Sequence, residues 1–140
     1  MKYDIYISDY KRNKVLQFPI LPSEIPTIKR SCKNEEFETF NNGSFNLIGN
    51  IGLASLSFSS WLPGKGKNYN FQRVKNVNAD SYIQLIEKSM LTKQPVRFIV
   101  VRGDGTSPIN SLFSVESFEW YEDKKADYVF SIDLKEWREY

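Results

Sequence analysis

The sequence contains no histidine and only one cysteine, Cys32, in 140 residues. The absence of histidine removes the usual general base near neutral pH and the commonest metal ligand. A single cysteine excludes an intrachain disulfide, and no histidine is present to activate its thiol as a nucleophile. We therefore predict that the protein is not an enzyme. We expect no catalytic or metal-binding residues and no cofactor.

The sequence also lacks long apolar runs and long runs of like charge. No apolar segment of about 18 residues occurs, and residues 1–4 carry an acidic group where a signal peptide would be apolar. The net charge of +2 comes from scattered lysines and arginines, which is too mild a balance to indicate nucleic acid. We expect no signal peptide and no membrane partner, and nucleic acid is a disfavoured partner.

Aromatic residues and strand-like segments are abundant instead. Phe, Tyr and Trp make up 15% of the sequence, and these residues favour half-buried pleated surfaces. The clearest period of two has Ala54, Leu56 and Phe58 alternating with serines. Asn41-Asn42-Gly43 is a good hairpin turn. Strands are predicted over 3–8, 15–18, 27–33, 35–40, 45–48, 54–59, 96–101, 112–121 and 128–134.

One helix is predicted, over about 79–92. Asn78 or Asp80 can cap its start, and Gln94-Pro95 ends it. Its apolar stripe at helical spacing is Tyr82, Ile83, Ile86, Met90 and Leu91. Because strands and helices do not alternate, we predict an α+β fold that is mostly β, a small antiparallel barrel or sandwich with one helix. The length fits a single β-rich domain over 1–140.

Three short motifs admit a functional interpretation but are better explained as loops. Arg102-Gly103-Asp104 is a tripeptide that integrins can read, yet it falls between two predicted strands. Asn42-Gly43-Ser44 matches a glycosylation acceptor but also makes the predicted hairpin turn. Gly64-Lys65-Gly66-Lys67 lacks the spacing of a phosphate-binding loop, and no helix follows it directly.

Glu35, Glu36 and Glu38 form an acidic patch on one predicted strand. Alternation places Glu36 and Glu38 on one face and Glu35 on the other. Paired carboxylates can cleave a glycosidic bond when they flank it. A solvated strand face or an electrostatic protein contact is the favoured alternative, so we predict these glutamates as interface residues.

Aromatic and basic side chains are interleaved in the predicted loop over 65–77, at Lys67, Tyr69, Phe71, Arg73 and Lys75. This pattern can bind single-stranded nucleic acid through stacking and phosphate pairing. It can also pack on the sheet or on a neighbouring subunit, and we favour the protein contact. Trp61 is either an interface anchor or a core residue at a strand end. We predict Trp61, Tyr69 and Phe71 as interface residues.

Six segments follow one another along nearly the whole chain, from about Tyr3 to Glu136-Trp137-Arg138-Glu139-Tyr140. They are Leu21-Pro22-Ser23-Glu24-Ile25-Pro26, Asn34-Glu35-Glu36-Phe37-Glu38-Thr39, Gly43 with Ile48-Gly49, Leu53 with Leu56-Ser57-Phe58-Ser59-Ser60-Trp61-Leu62-Pro63-Gly64, Tyr82-Ile83, and Pro95-Val96-Arg97-Phe98-Ile99-Val100. In this order they resemble the N-terminal domain of the LysM-carrying baseplate proteins of contractile phage tails, defective prophages and R-type bacteriocins.

The resemblance implies a structural role and a tail-tube-like fold. Such proteins join the central spike hub and tail tube to the surrounding baseplate. The implied partners are therefore other baseplate, hub and tail-tube proteins, together with further copies in a ring-like homo-oligomer, of which a hexamer is one candidate. The implied location is the bacterial cytoplasm during assembly and then the tail or baseplate of a phage or phage-like particle. The alternative function is a small binding module for cell-wall glycan or single-stranded nucleic acid.

Members of this family continue through a linker into a LysM module, which is a small peptidoglycan-type binding unit. The sequence ends at Tyr140, where such a linker would begin. We therefore expect the β-rich domain without the LysM module. Glycan binding is not inferred from the resemblance.

Overall fold

The structure is a computed structural model that describes residues 3–22 and 25–138. Within these ranges the chain forms nine strands and one helix. Four residues of the segments that carry the family resemblance lie outside the described part: Ser23, Glu24, Glu139 and Tyr140. In chain order the elements are β1 (Tyr3–Ser8), β2 (Val15–Gln17), β3 (Ile28–Lys29), β4 (Glu35–Thr39), β5 (Gly43–Leu47), β6 (Ser55–Leu62), α1 (Ala79–Thr92), β7 (Val96–Arg102), β8 (Ile109–Glu122) and β9 (Tyr128–Glu136).

Seven strands form one antiparallel sheet in the order β2-β1-β7-β8-β9-β6-β3, and β4 pairs with β5 in a separate two-stranded sheet. The predicted class, mostly β with one helix, is confirmed. The larger sheet does not close into a barrel, because β2 and β3 are its two edges. Its apolar face and α1 share one core. The buried strand residues of that core are Ile5, Ile7, Leu56, Phe58, Leu62, Val96, Phe98, Val100, Ile109, Phe113, Phe130, Ile132 and Leu134.

The larger sheet is curled around its apolar face. The rings of Phe58 on β6 and Phe98 on β7 have centroids 5.7 Å apart, although β8 and β9 lie between these strands. In a flat sheet, three strand spacings would separate them by about 14 Å. Phe18 lies between the two ends of the curl and contacts the rings of Phe58, Tyr82, Phe98 and Phe130. One phenylalanine after β2 therefore organises the centre of the core.

The segment after β2 joins the two sides of the curl without forming a strand pair. The Ser60 hydroxyl on β6 donates to the Ile20 carbonyl at 2.9 Å. The Arg73 N–H donates to the Pro19 carbonyl at 2.8 Å. Pro19 has no N–H, so this segment can only accept hydrogen bonds at that position. The gap that keeps the sheet from being a barrel is thus crossed by single hydrogen bonds.

The helix α1 has the predicted bounds, but its apolar stripe differs at the C-terminal end. Asn78 caps the start by accepting a hydrogen bond from the Asp80 N–H at 3.1 Å. Met90 and Leu91, which the predicted apolar stripe includes, do not lie on the buried face, because they are 41% and 83% exposed. With about 3.6 residues per turn, Leu91 lies opposite Tyr82 on the helix, and Ser89 takes the buried position.

The strand predicted over 27–33 is much shorter than expected. It contains β3 and an isolated antiparallel bridge between Cys32 and Ile51. Ile28 pairs with Leu56, and Glu35 pairs with Leu47. The segment from Leu47 to Leu56 is therefore two residues longer than the segment from Ile28 to Glu35 that it faces. Extra residues of this kind interrupt a ladder and bend it. The long hairpin from β3 to β6 is therefore divided into a short inner part and a projecting outer part.

Candidate functional site

The outer part of this hairpin, residues 34–48, projects from the sheet, and we call it the arm. It consists of β4, β5 and the turn between them, and the two strands pair with each other. Every residue of the arm is exposed except Thr39, which is half-buried. A two-stranded hairpin without a packed face is at best marginally stable in water. A contact on either of its faces would therefore stabilise it.

The base of the arm is held by a close approach of two backbones. The Lys33 N–H donates to the Asn50 carbonyl at 2.8 Å, and the Gly49 N–H donates to Asn34 Oδ1 at 2.8 Å. A Cβ atom on Gly49 would lie 1.8 Å from the Lys33 carbonyl oxygen. Glycine is therefore required where the arm meets the body.

The two faces of the arm differ in chemistry. Phe37 pairs with Phe45 and Glu35 with Leu47, so these four side chains share one face. Glu36 and Glu38 lie on the other, as alternation predicts. The rings of Phe37 and Phe45 stack with centroids 5.7 Å apart, yet both remain about half exposed. One face is thus mainly apolar and the other is acidic.

The arm carries uncompensated negative charge. It contains three glutamates and no lysine or arginine, and none of the three forms an ion pair with another described residue. Phe40, next to the turn, is fully exposed. Exposed aromatic side chains clustered with polar ones mark surfaces that bind other macromolecules. The arm is therefore the first candidate interaction surface.

Trp61, Tyr69 and Phe71 come together, and we call them the aromatic cluster. The ring centroid of Trp61 is 5.2 Å from that of Tyr69 and 5.9 Å from that of Phe71, while Tyr69 and Phe71 stack at 5.4 Å. Phe71 is 61% exposed. Trp61 lies near the far end of β6 from the arm, about 20 Å along the strand from its start. The predicted interface residues thus form two separate groups.

Asp127 holds the loop that carries Tyr69 and Phe71, and sequence reasoning missed it. Its carboxylate accepts hydrogen bonds from the Gly64 N–H and the Tyr69 hydroxyl, both at 2.7 Å, and Lys67 Nζ lies 3.4 Å away. The side chain is buried. Burial raises the pKa of the Asp127 carboxyl, but the hydrogen bonds from Tyr69 and Gly64 and the charge of Lys67 lower it further, so the net shift is downward. The same hydrogen bond raises the pKa of Tyr69.

Three basic residues of this loop, Lys67, Arg73 and Lys75, are engaged within the chain. Lys67 Nζ donates to the Lys125 carbonyl, and Lys75 Nζ donates to the Tyr69 carbonyl. Arg73 Nε pairs with Asp4 Oδ1 at 2.7 Å. The interleaving of aromatic and basic residues therefore serves to pack the loop against the body, and Phe71 is the cluster member with the most exposed surface.

The short motifs are turns, as predicted. In the Arg102-Gly103-Asp104 segment, the Arg102 N–H donates to the Thr106 carbonyl at 2.8 Å and joins β7 to β8. In the Asn42-Gly43-Ser44 segment, Gly43 has a φ of 77°, which the tight connection of the arm requires. Among residues 3–22 and 25–138, no helix is long and apolar enough to cross a membrane.

Two solved structures share this fold. A chain of the anti-feeding prophage (AFP) baseplate, determined with 6-fold symmetry, superimposes with a TM-score of 0.59 over 98% of this chain and 89% of its own, at 9% identity. The SPP1 tail tube protein superimposes with a TM-score of 0.58 over 96% of this chain and 72% of its own, at 14% identity. At these identities the likeness shows the fold alone, and the predicted tail-tube-like fold is confirmed.

Sequence comparison gives a relative that is longer than this chain. The chain is 32% identical over 142 aligned positions to the uncharacterized protein YqbP of Bacillus subtilis (strain 168). The match covers 97% of this chain, and this chain spans 59% of the length of that relative. No family model matches the chain.

Proposed function

We propose that this protein is a structural component of a contractile tail baseplate, where it links the hub or tail tube to surrounding baseplate proteins through protein–protein contacts. The observation that supports this most is the fold shared with a chain of the AFP baseplate and with the SPP1 tail tube protein. The exposed arm adds a surface suited to such contacts. No enzymatic step is part of the proposal.

In this role the mechanism is geometric. The curled sheet and α1 form a packed body, and the arm and the aromatic cluster are presented at opposite ends of β6. A subunit built in this way can contact two different neighbours at once. Edge strands such as β2 and β3 also need cover in a stable particle, which adjacent baseplate proteins would provide.

We also propose the finer identity that the sequence resemblance implies. The chain would correspond to the β-rich N-terminal domain of a LysM-carrying baseplate protein, and its partners would be hub, tube and baseplate proteins in a phage or phage-like particle. Support comes from YqbP, which is longer than the matched segment and so has room for a further module. Mass spectrometry of purified particles, with and without the gene, would test both the location and the partners.

The test of the structural role is deletion of the gene in its host cluster followed by electron microscopy of the particles. We expect tails with missing or incomplete baseplates, and restoration by the wild-type gene. Normal baseplates that contract without this protein would refute the proposal. A Trp61→Ala variant in the same assay would test the aromatic cluster as a contact, with Tyr121→Ala as a control at an exposed aromatic residue outside it.

A further inference from the structure

A basic cleft lies on the body, beside β1 and β2. It has a volume of about 670 Å³ and lies between the β1–β2 turn and α1. Lys11, Lys14 and Lys88 line it together with one acidic residue, Asp9. None of these lysines forms an ion pair with another described residue. The cleft is therefore a cationic surface that the fold leaves uncompensated.

The arm and the cleft are complementary in charge. The arm presents three glutamates without a cation, and the cleft presents three lysines with one aspartate. Surfaces of opposite sign steer each other on encounter and fix the register of the contact.

The positions of the two surfaces suit a contact between separate copies. A row of strand pairs crosses the sheet from Ser8 at the end of β1 to Ser55 at the start of β6, through Arg97, Phe113 and Lys135 or their immediate neighbours. The β1–β2 turn follows Ser8, and the returning strand of the arm leads into Ser55. Arm and cleft therefore lie at the same end of the curled sheet, the arm next to β6 and the cleft next to β1 and β2. None of the arm's glutamates forms an ion pair with a described residue of its own chain.

A contact between two different surfaces of the same chain is heterologous. Such contacts form closed rings when the rotation between copies closes, and filaments when it does not. β4 alone is about 17 Å long, so an arm can extend well beyond its own body to a lateral neighbour.

We propose that the acidic arm of one copy docks into the lysine cleft of the next copy, with Glu36 and Glu38 facing Lys11, Lys14 and Lys88. This inference deepens the proposed function, on which its place in a ring around the tail rests. The contact itself is a property of the isolated chain.

Charge reversal tests the pairing of these two surfaces. The arm variant Glu36→Lys/Glu38→Lys and the cleft variant Lys11→Glu/Lys14→Glu are each measured by sedimentation velocity at low and high salt. We expect the wild type to self-associate more strongly at low salt, because exposed charges are screened by salt. Each variant alone should self-associate roughly tenfold more weakly or worse, since like charges now face each other.

The decisive sample is an equal mixture of the two variants. In the mixture the lysine-bearing arm of the arm variant can meet the glutamate-bearing cleft of the cleft variant. The native arm of the cleft variant can likewise meet the native cleft of the arm variant. Association should therefore return to near the wild-type level. The chain carrying all four reversals should also associate by itself. Lys124→Glu/Lys125→Glu, in the exposed β8–β9 turn, is the matched control and should leave association unchanged. Circular dichroism of each variant verifies that it is folded.

Several results would overturn this pairing. They are a wild type that stays monomeric at the highest attainable concentration, a mixture no better than its components, or a control as weak as the cleft variant. These outcomes leave the tail role intact if deletion still removes the baseplate. Conversely, normal baseplates without the protein would refute the tail role even if the arm and cleft were paired in solution.

Discussion

The Tyr69 hydroxyl donates a 2.7 Å hydrogen bond to the carboxylate of Asp127, which lies 58 residues further along the chain. The other oxygen of that carboxylate accepts the Gly64 N–H at 2.7 Å. One buried acid therefore fixes the loop after β6 at two points. The positions of Tyr69 and Phe71 in the aromatic cluster depend on it.

Asp127→Ala should destabilise the protein by about 1–3 kcal/mol, because the Gly64 N–H and the Tyr69 hydroxyl lose a buried acceptor. Tyr69→Phe removes one hydrogen bond and should destabilise the protein less than Asp127→Ala. Urea unfolding measures both. Tyr121→Phe, at an exposed tyrosine, is the control and should stay within about 0.5 kcal/mol of wild type. Equal effects for Tyr69→Phe and Tyr121→Phe would contradict the role of this contact.

Glu136 should make part of the stability dependent on acid pH. Burial raises the pKa of its carboxyl, but the Ala54 N–H and the charges of Arg30 and Arg138 lower it more, so the net shift is downward. A folded pKa below the unfolded value of about 4.3 stabilises the fold at neutral pH, and this stabilisation is lost as the pH falls below about 4. Glu136→Gln should make the free energy of unfolding fall less steeply as the pH drops through this acid range. Glu119→Gln should not.

Tyr82 should produce a second loss of stability at alkaline pH. Burial raises its pKa from 10.0 to about 12. The fold favours the neutral phenol, so stability is complete below the unfolded pKa and falls as the pH rises toward the folded one. From about pH 10 to pH 12 the loss should be about 2–3 kcal/mol. Tyr82→Phe should lower stability at neutral pH, because its hydroxyl donates to the Gln17 carbonyl, but should remove most of this alkaline slope. A slope that persists in Tyr82→Phe would assign it to other tyrosines.

Gly64→Ala should be more damaging than Gly66→Ala. A Cβ atom at Gly64 would lie 2.2 Å from the Ala126 carbonyl oxygen, whereas a Cβ at Gly66 has nothing within 4 Å. Gly66 has a φ of 78°, so its replacement should cost about 1–2 kcal/mol through backbone strain alone. Thermal unfolding of the two variants separates the clash from the strain. Similar melting temperatures would mean that the backbone at Gly64 relaxes freely.

The phenylalanines of the arm should matter for assembly and not for folding of the body. Phe37→Ser/Phe45→Ser should leave the free energy of unfolding of the isolated chain within about 0.5 kcal/mol of wild type, because both rings are half exposed. Phe58→Ala, in the core, should cost about 3–5 kcal/mol. Incorporation into particles, followed by immunoblot of purified tails, should be lost in the arm variant. Normal incorporation would remove the apolar face from the contact.

The sequence predicts the elements whose signals are local. Asn78, the helical spacing of Tyr82 and Ile86, and Pro95 are enough to bound α1, and the turn at Gly43 is enough to place the arm. The separation of Glu35 from Glu36 and Glu38 follows from strand alternation alone. Each of these depends on residues close together in the chain.

The features that were not predicted depend on contacts distant in sequence. Asp127 belongs to a charged segment that reads as a solvated turn, and its burial arises from Gly64 and Tyr69. Phe18 occupies the centre of the core because the sheet curls, which no short pattern indicates. Leu91 looked apolar enough for the core, but the helix turns it away. The basic cleft also combines a turn and a helix that are far apart in the sequence.

The placement of the glutamates along β4 has a consequence for the protein before assembly. Glu36 and Glu38 flank Phe37 on both sides, as charged gatekeeper residues do beside aggregation-prone strands. Two arms that approach each other bring carboxylates together and repel, which disfavours strand-to-strand clumping of newly made chains. The same negative charge is attracted to a cationic surface. The negative charge of the arm thus disfavours aggregation before assembly. A basic docking surface would neutralise that charge when the contact forms.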